Sequence, residues 1–183
     1  MNTANRITLI RIAMIPIFLL FFLTDIVAYS NLIAVLIFVV AAVTDGVDGH
    51  IARKYNQITD FGKFIDPLAD KILVVSALIG MVQFGQISSI AVIIIIAREF
   101  MVTGLRIVAI SSGQVIAAAF SGKVKTVVQI VVIACTMAVW DFVGAYPWLK
   151  TVTSIGIWVM VIITVYSGIE YMIKNKGVID YKK

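Results

Sequence analysis

Polar positions are so sparse along this chain that it reads as six apolar runs with short breaks between them. The runs fall at about 7–24, 30–52, 62–84, 88–112, 125–145 and 149–173, each near the roughly 20 residues a helix needs to cross a hydrocarbon layer. An all-α bundle of six transmembrane helices is the predicted architecture. The breaks near 25–30, 85–88 and 142–149 contain no Lys or Arg, with Lys150 just past the third. The other breaks and the two ends gather Arg6, Arg53, Lys54, Lys63, Lys123, Lys125, Lys174, Lys176, Lys182 and Lys183. Basic residues stay on the cytoplasmic side, so both termini are expected there, which requires an even number of crossings. Tyr55, Tyr146, Trp148 and Tyr171 lie near run ends, as interfacial aromatics do. Residues 113–121 have the composition of a short segment lying on the membrane surface. No repeat or long linker divides the chain, so residues 1–183 are expected to form one membrane domain.

Composition explains why the runs must face lipid. Of 183 residues, 61% are hydrophobic and 14% charged, against roughly 45–50% and about 25% in soluble domains. A chain this short cannot bury that much apolar surface within itself. The net charge of +5 is scattered, which argues against nucleic acid and suits loops beside anionic lipid. The N-terminal stretch lacks a small-residue cleavage site and reads as the start of the first membrane helix. A single cysteine, Cys135, excludes a disulfide framework and a thiolate cluster, and reads as a packing residue.

Against this background the segment from Thr44 to Lys71 stands out. Asp45 and Asp48 are three apart near the end of the second run, and Asp66 and Asp70 are four apart near the start of the third. Such spacings put each pair on one helix face, and a short connection brings antiparallel neighbours together. Four carboxylates at one site repel each other unless some are protonated or cations lie between them. An oxygen-only donor set favours a hard ion such as Mg²⁺ or Mn²⁺, and His50, the only histidine, argues against zinc. Gly49 and Gly62 flank the acids and leave room for a bulky ligand such as a nucleotide. Arg53 has the chemistry to meet phosphate or to orient a carboxylate. Asp60 reads as a loop residue. Pro67 either marks a helix start near Asp66 or kinks the helix there.

At these residues the sequence resembles the CDP-alcohol phosphotransferase family. The family signature, D-x-x-D-G-x-x-A-R, eight residues, then G-x-x-x-D-x-x-x-D, is matched in full by Asp45, Asp48, Gly49, Ala52, Arg53, Gly62, Asp66 and Asp70. The resemblance implies a six-helix membrane enzyme, commonly a homodimer, that takes a CDP-lipid as donor. It implies two divalent ions held by Asp45, Asp48, Asp66 and Asp70, with Asp70 also the general base toward the acceptor hydroxyl. Gly49, Ala52 and Gly62 would make space for cytidine, Arg53 would help fix the site, and Thr8 and Arg11 would contact the donor's phosphates.

The acceptor must be read elsewhere. Glu99, Thr103 and Arg106 stand at i, i+4 and i+7 in the fourth run, beside Arg98. A polar stripe there faces the bundle interior or a wet cavity. Lys123, Lys125 and Thr126 open the fifth run. Cations in excess of acids suit an acceptor that carries its own phosphate. The plainer alternatives are an Arg98–Glu99 pair bracing the bundle and lysines that merely set topology. Both segments resemble those of bacterial members acting on sn-glycerol 3-phosphate, implying CDP-diacylglycerol as donor, an active site facing the cytoplasm from the inner membrane, and CMP and phosphatidylglycerophosphate as products. An inositol-phosphate acceptor would call for similar cations. A divalent-cation transporter would use the same aspartates, but nearer mid-membrane.

Overall fold

Helices form where the apolar runs fall. The computed structural model describes residues 3–54, 60–111 and 119–178, with the side chains of 3–7, 45–54, 60–68, 70, 111 and 178 outside the description. In chain order the helices are α1 (Thr3–Leu23), α2 (Ser30–Lys54), α3 (Asp60–Gln83), α4 (Ser89–Ser111), α5 (Phe120–Trp140) and α6 (Trp148–Lys174), followed by a 3₁₀ turn at Lys176–Val178. No strand occurs among the described residues.

Several boundaries differ from the hydropathy reading. The fifth helix starts five residues earlier than expected and ends at Trp140. Hydropathy continues through Phe142 and Val143, but Asp141, Gly144 and Pro147 turn the chain. Ala119 is extended and Phe120 opens α5, so the tail of the expected surface segment belongs to a helix. Residues 112–118 lie outside the described residues. The third helix begins at Asp60, a residue type that suits helix starts, so Asp60 is helical and Pro67 lies within α3.

Three turns share one end of the bundle. Phe22 of α1 stacks edge-on against Phe84 after α3, at 5.5 Å. Asn31 at the start of α2 donates from Nδ2 to the carbonyl of Met137 and to Asp141 Oδ2 on the last turn of α5 and beyond. The opposite end therefore carries the C-terminus of α2, the start of α3, the end of α4, the start of α5 and the end of α6. Among the described residues Lys71, Arg98, Arg106, Lys123, Lys125 and Lys174 lie toward this end, as do the helical positions of the four aspartates.

Large apolar side chains fill the middle. Phe18 and Phe22 of α1, Phe38 of α2, Leu73, Leu78 and Met81 of α3, Ile95 of α4, Ile133 and Met137 of α5 and Met160 of α6 form one buried cluster. Outward faces are apolar too: Ile10, Leu36, Ile79, Ile93, Val127 and Ile162 are all exposed, one from each helix. Cys135 is also exposed, so it does not pack in the core. Among the described residues, α5 and α6 are long and apolar enough to cross a membrane, and shorter apolar stretches run over Thr8–Leu23, Ser30–Thr44 and Lys71–Gln83. The polar stripe of α4 breaks its hydropathy and leads to the site.

Candidate functional site

The polar end holds an open cavity of about 420 Å³. Lys71 reaches it from α3, Arg98, Glu99, Thr103 and Arg106 from α4, Lys123 and Thr126 from α5, and Tyr171 from α6. The i, i+4, i+7 stripe thus lines one open cavity, in keeping with its single helix face.

Glu99 is the hub of the wall. Lys125 Nζ donates to its Oε1 at 2.6 Å, and Arg98 Nη1 donates to the same oxygen at 3.0 Å. Arg98 Nη2 also donates to Ser167 Oγ on α6 at 2.9 Å, and the Ser167 hydroxyl donates in turn to the Thr164 carbonyl at 3.1 Å. The α4–α6 crossing makes this reach possible. A Cβ on Gly168 would lie 2.8 Å from Arg98 Cγ, so only glycine leaves the arginine its path. Two of the proposed acceptor cations are therefore committed to one carboxylate. The bracing pair expected as an alternative is present, and it includes Lys125, which is 4% exposed.

The remaining cations face the cavity differently. Lys71 Nζ donates to Thr103 Oγ1, while Thr103 Oγ1 donates to the Glu99 carbonyl at 2.8 Å. Arg106 Nε donates to the Tyr171 hydroxyl at 3.1 Å, with its guanidinium carbon 5.6 Å from that ring's centre. Arg106 and Lys123 are exposed to the cavity, and Lys71 is half-buried. Four cationic side chains against one carboxylate give the lining a positive balance. Such a wall suits an anion bearing phosphate. A smaller recess of about 30 Å³ continues inward between Lys71, Glu99, Lys125 and Gln129, room for about one water.

Lys71 also ties the cavity to the acidic motif, because it follows Asp70 directly in α3. Asp45 and Asp48 lie in the C-terminal half of α2, Asp66 and Asp70 in the first half of α3, and the two helices pack together. The backbone thus brings both acid pairs to the cavity's end of the bundle. The side chains of these four, and of Ala52 and Arg53, lie outside the described residues, as do Gly49 and Gly62 beyond their helical backbone. Among the described residues no group of three metal-ligating side chains occurs. Thr8 and Arg11, three apart on α1, are 2% and 1% exposed. Both sit inside the bundle, on a helix that packs against α2 and α3.

Sequence reasoning missed Lys71, Ser167, Gly168 and Tyr171. Lys71 had a signal, since it adjoins a motif aspartate. Tyr171 lies near a run end, where interfacial aromatics are expected, yet it is 2% exposed and bonded to Arg106. Nothing local marks a tyrosine that turns inward. Trp148 and Tyr146 are exposed, in keeping with the interfacial reading, and Tyr55 lies outside the described residues.

Known proteins bear on the same features. The profile of the CDP-alcohol phosphatidyltransferase family matches residues 1–169. The chain is 43% identical to the CDP-diacylglycerol–glycerol-3-phosphate 3-phosphatidyltransferase of Bacillus subtilis (strain 168), over 95% of each chain. It is 36% identical to the protein of that name from Rickettsia bellii, over 93% of each. The Shigella flexneri protein of that name is 35% identical, again over 93% of each.

Proposed function

Because the chain belongs to the CDP-alcohol phosphatidyltransferase family, we propose that it transfers the phosphatidyl group of CDP-diacylglycerol to sn-glycerol 3-phosphate. Phosphatidylglycerophosphate and CMP are the products. The observation that carries the acceptor is the cationic cavity beside the acid-bearing ends of α2 and α3. The names of the Bacillus and Rickettsia relatives specify the same donor and acceptor.

In this reading all six helices cross a bacterial inner membrane as one domain, with both termini and the cavity at the cytoplasmic face, and two copies pair. The basic residues at the cavity's end and the exposed apolar side chains on every helix support the topology. Asp45, Asp48, Asp66 and Asp70 hold the divalent ions, two of Mg²⁺ or Mn²⁺, for which an all-carboxylate donor set on adjoining helices is a chemical fit. Such ions, when bound, would supply the positive charge that offsets the donor's diphosphate. Thr8 and Arg11 meet the donor's phosphates, Gly49, Ala52 and Gly62 leave space for cytidine, and Arg53 braces that side.

Lys71, Arg106 and Lys123 hold the acceptor's phosphate, with Thr103 and Tyr171 fixing Lys71 and Arg106. Arg98 and Lys125 act through Glu99 and keep the wall in register. Asp70 takes the proton of the acceptor hydroxyl as its oxygen attacks the phosphatidyl phosphorus, and the phosphoanhydride bond to CMP breaks.

Purified protein with CDP-diacylglycerol and Mg²⁺ should release CMP when given glycerol 3-phosphate, and much less with inositol phosphate. No release with glycerol 3-phosphate overturns the proposal. Chelation should stop turnover and Mg²⁺ should restore it. Asp70→Asn should abolish turnover yet keep donor binding. A loss of metal binding equal to that of Asp66→Asn would make Asp70 chiefly a ligand.

A further inference from the structure

The opposite end of the bundle has its own cavity, of about 280 Å³, between the α3–α4 turn, the last turn of α5 and the start of α6. Its lining includes Gln86, Trp140, Lys150, Ser154 and Trp158. That volume is near the lower bound of roughly 300 Å³ for small-molecule sites, enough for a headgroup but not a whole lipid. Lys150 is exposed and is the sole Lys or Arg in or flanking the three turns at this end. Gln86 is 7% exposed, and its buried Oε1 receives no hydrogen bond among the described residues. Its backbone is fixed there, since its N–H donates to the Met81 carbonyl at 2.9 Å. A buried acceptor without a donor costs about 1–3 kcal/mol, so the amide is better matched when a ligand donates to it. Two tryptophans, Trp140 and Trp158, line the cavity, and tryptophan is the residue type that prefers the level of lipid headgroups.

We propose that this cavity holds the headgroup of a glycerophospholipid from the adjoining leaflet. The phosphate lies at Lys150, and the Gln86 amide, whose Oε1 has no exposed surface as the side chain stands, turns toward the cavity to accept from a terminal hydroxyl or ammonium group. The proposal rests on the bundle spanning a membrane, and it concerns the end remote from the cationic cavity. Its chemistry makes a sharp distinction. Phosphatidylglycerol and phosphatidylethanolamine carry an O–H or N–H donor beyond the phosphate, whereas phosphatidylcholine carries none.

The test is native mass spectrometry of the full chain equilibrated with equal amounts of these three lipids. The wild type should retain one more phosphatidylglycerol or phosphatidylethanolamine than phosphatidylcholine, a preference of roughly five- to tenfold, the worth of about one hydrogen bond. Lys150→Gln should lose that one retained lipid. Gln86→Met should keep a retained lipid but no longer discriminate against phosphatidylcholine. Equal retention of all three by the wild type, or unchanged retention by Lys150→Gln, overturns the proposal. Both variants should still release CMP with glycerol 3-phosphate, which shows that they fold. If the wild type releases none, the proposed activity falls while lipid retention still decides this site.

Discussion

Glu99 holds two buried cations together, and that fixes what its loss does. Glu99→Ala leaves Arg98 and Lys125 facing each other without a carboxylate, and breaking such a buried pair costs about 3–5 kcal/mol. Thermal unfolding in detergent should show the loss. Adding Lys125→Met should recover part of it, a coupling of about 0.5–3 kcal/mol. Arg106→Met acts differently, because this residue is exposed to the cavity and, among the described residues, its guanidinium bonds to Tyr171. It should raise KM for glycerol 3-phosphate about tenfold or more, as expected for a lost charged hydrogen bond, with little change in melting temperature. A lower melting temperature with unchanged KM would make Arg106 structural. The polar stripe of α4 was legible in the sequence, because period-3.6 spacing in an apolar run leaves little freedom of direction. Which of its cations are spoken for was not legible. That depends on Ser167 and Gly168, which lie on α6, 69 residues from Arg98 in the case of Ser167.

Helix against helix, two glycines do different jobs. A Cβ on Gly80 would meet Phe22 Cε1 at 2.6 Å and Cδ1 at 2.9 Å, so α3 can approach α1 only because that side chain is missing. Gly80→Ala should cost about 1–3 kcal/mol by overpacking, and Phe22→Leu in the same chain should relieve some of it. Gly85 has open space around it but adopts φ +67°. Its N–H donates to the Val82 carbonyl at 3.0 Å while that of Gln86 donates to Met81, the paired bonds of a Schellman ending. Gly85→Ala should cost about 1–2 kcal/mol from backbone conformation alone, and no change at Phe22 should rescue it. Unfolding measurements on the single and double variants separate the two mechanisms. Helix number and order followed from hydropathy, since long apolar runs leave few alternatives. The end of α5 did not, because Phe142 and Val143 extend the apolar pattern beyond the point where Asp141 and Gly144 bend the chain.

For the molecule as a whole, charge and geometry divide the two ends. Single cysteines introduced in a Cys135→Ser background test the assignment: Lys123→Cys beside the cationic cavity and Ser88→Cys at the other end. An impermeant thiol reagent applied to intact cells should label the second and spare the first until the membrane is opened. The reverse pattern would invert the topology. By itself the chain's pattern determined the six helices, their apolar outward faces and the four-aspartate motif, because each depends on near-neighbour spacing and on the cost of placing charge in an apolar run. Only the tertiary structure decided that Lys71 and Tyr171 join the cavity and that Lys125 is spent on Glu99. It alone also revealed the second cavity around Gln86 and Lys150. These are meetings between side chains on different helices, and no local spacing encodes which helix face a distant residue will find.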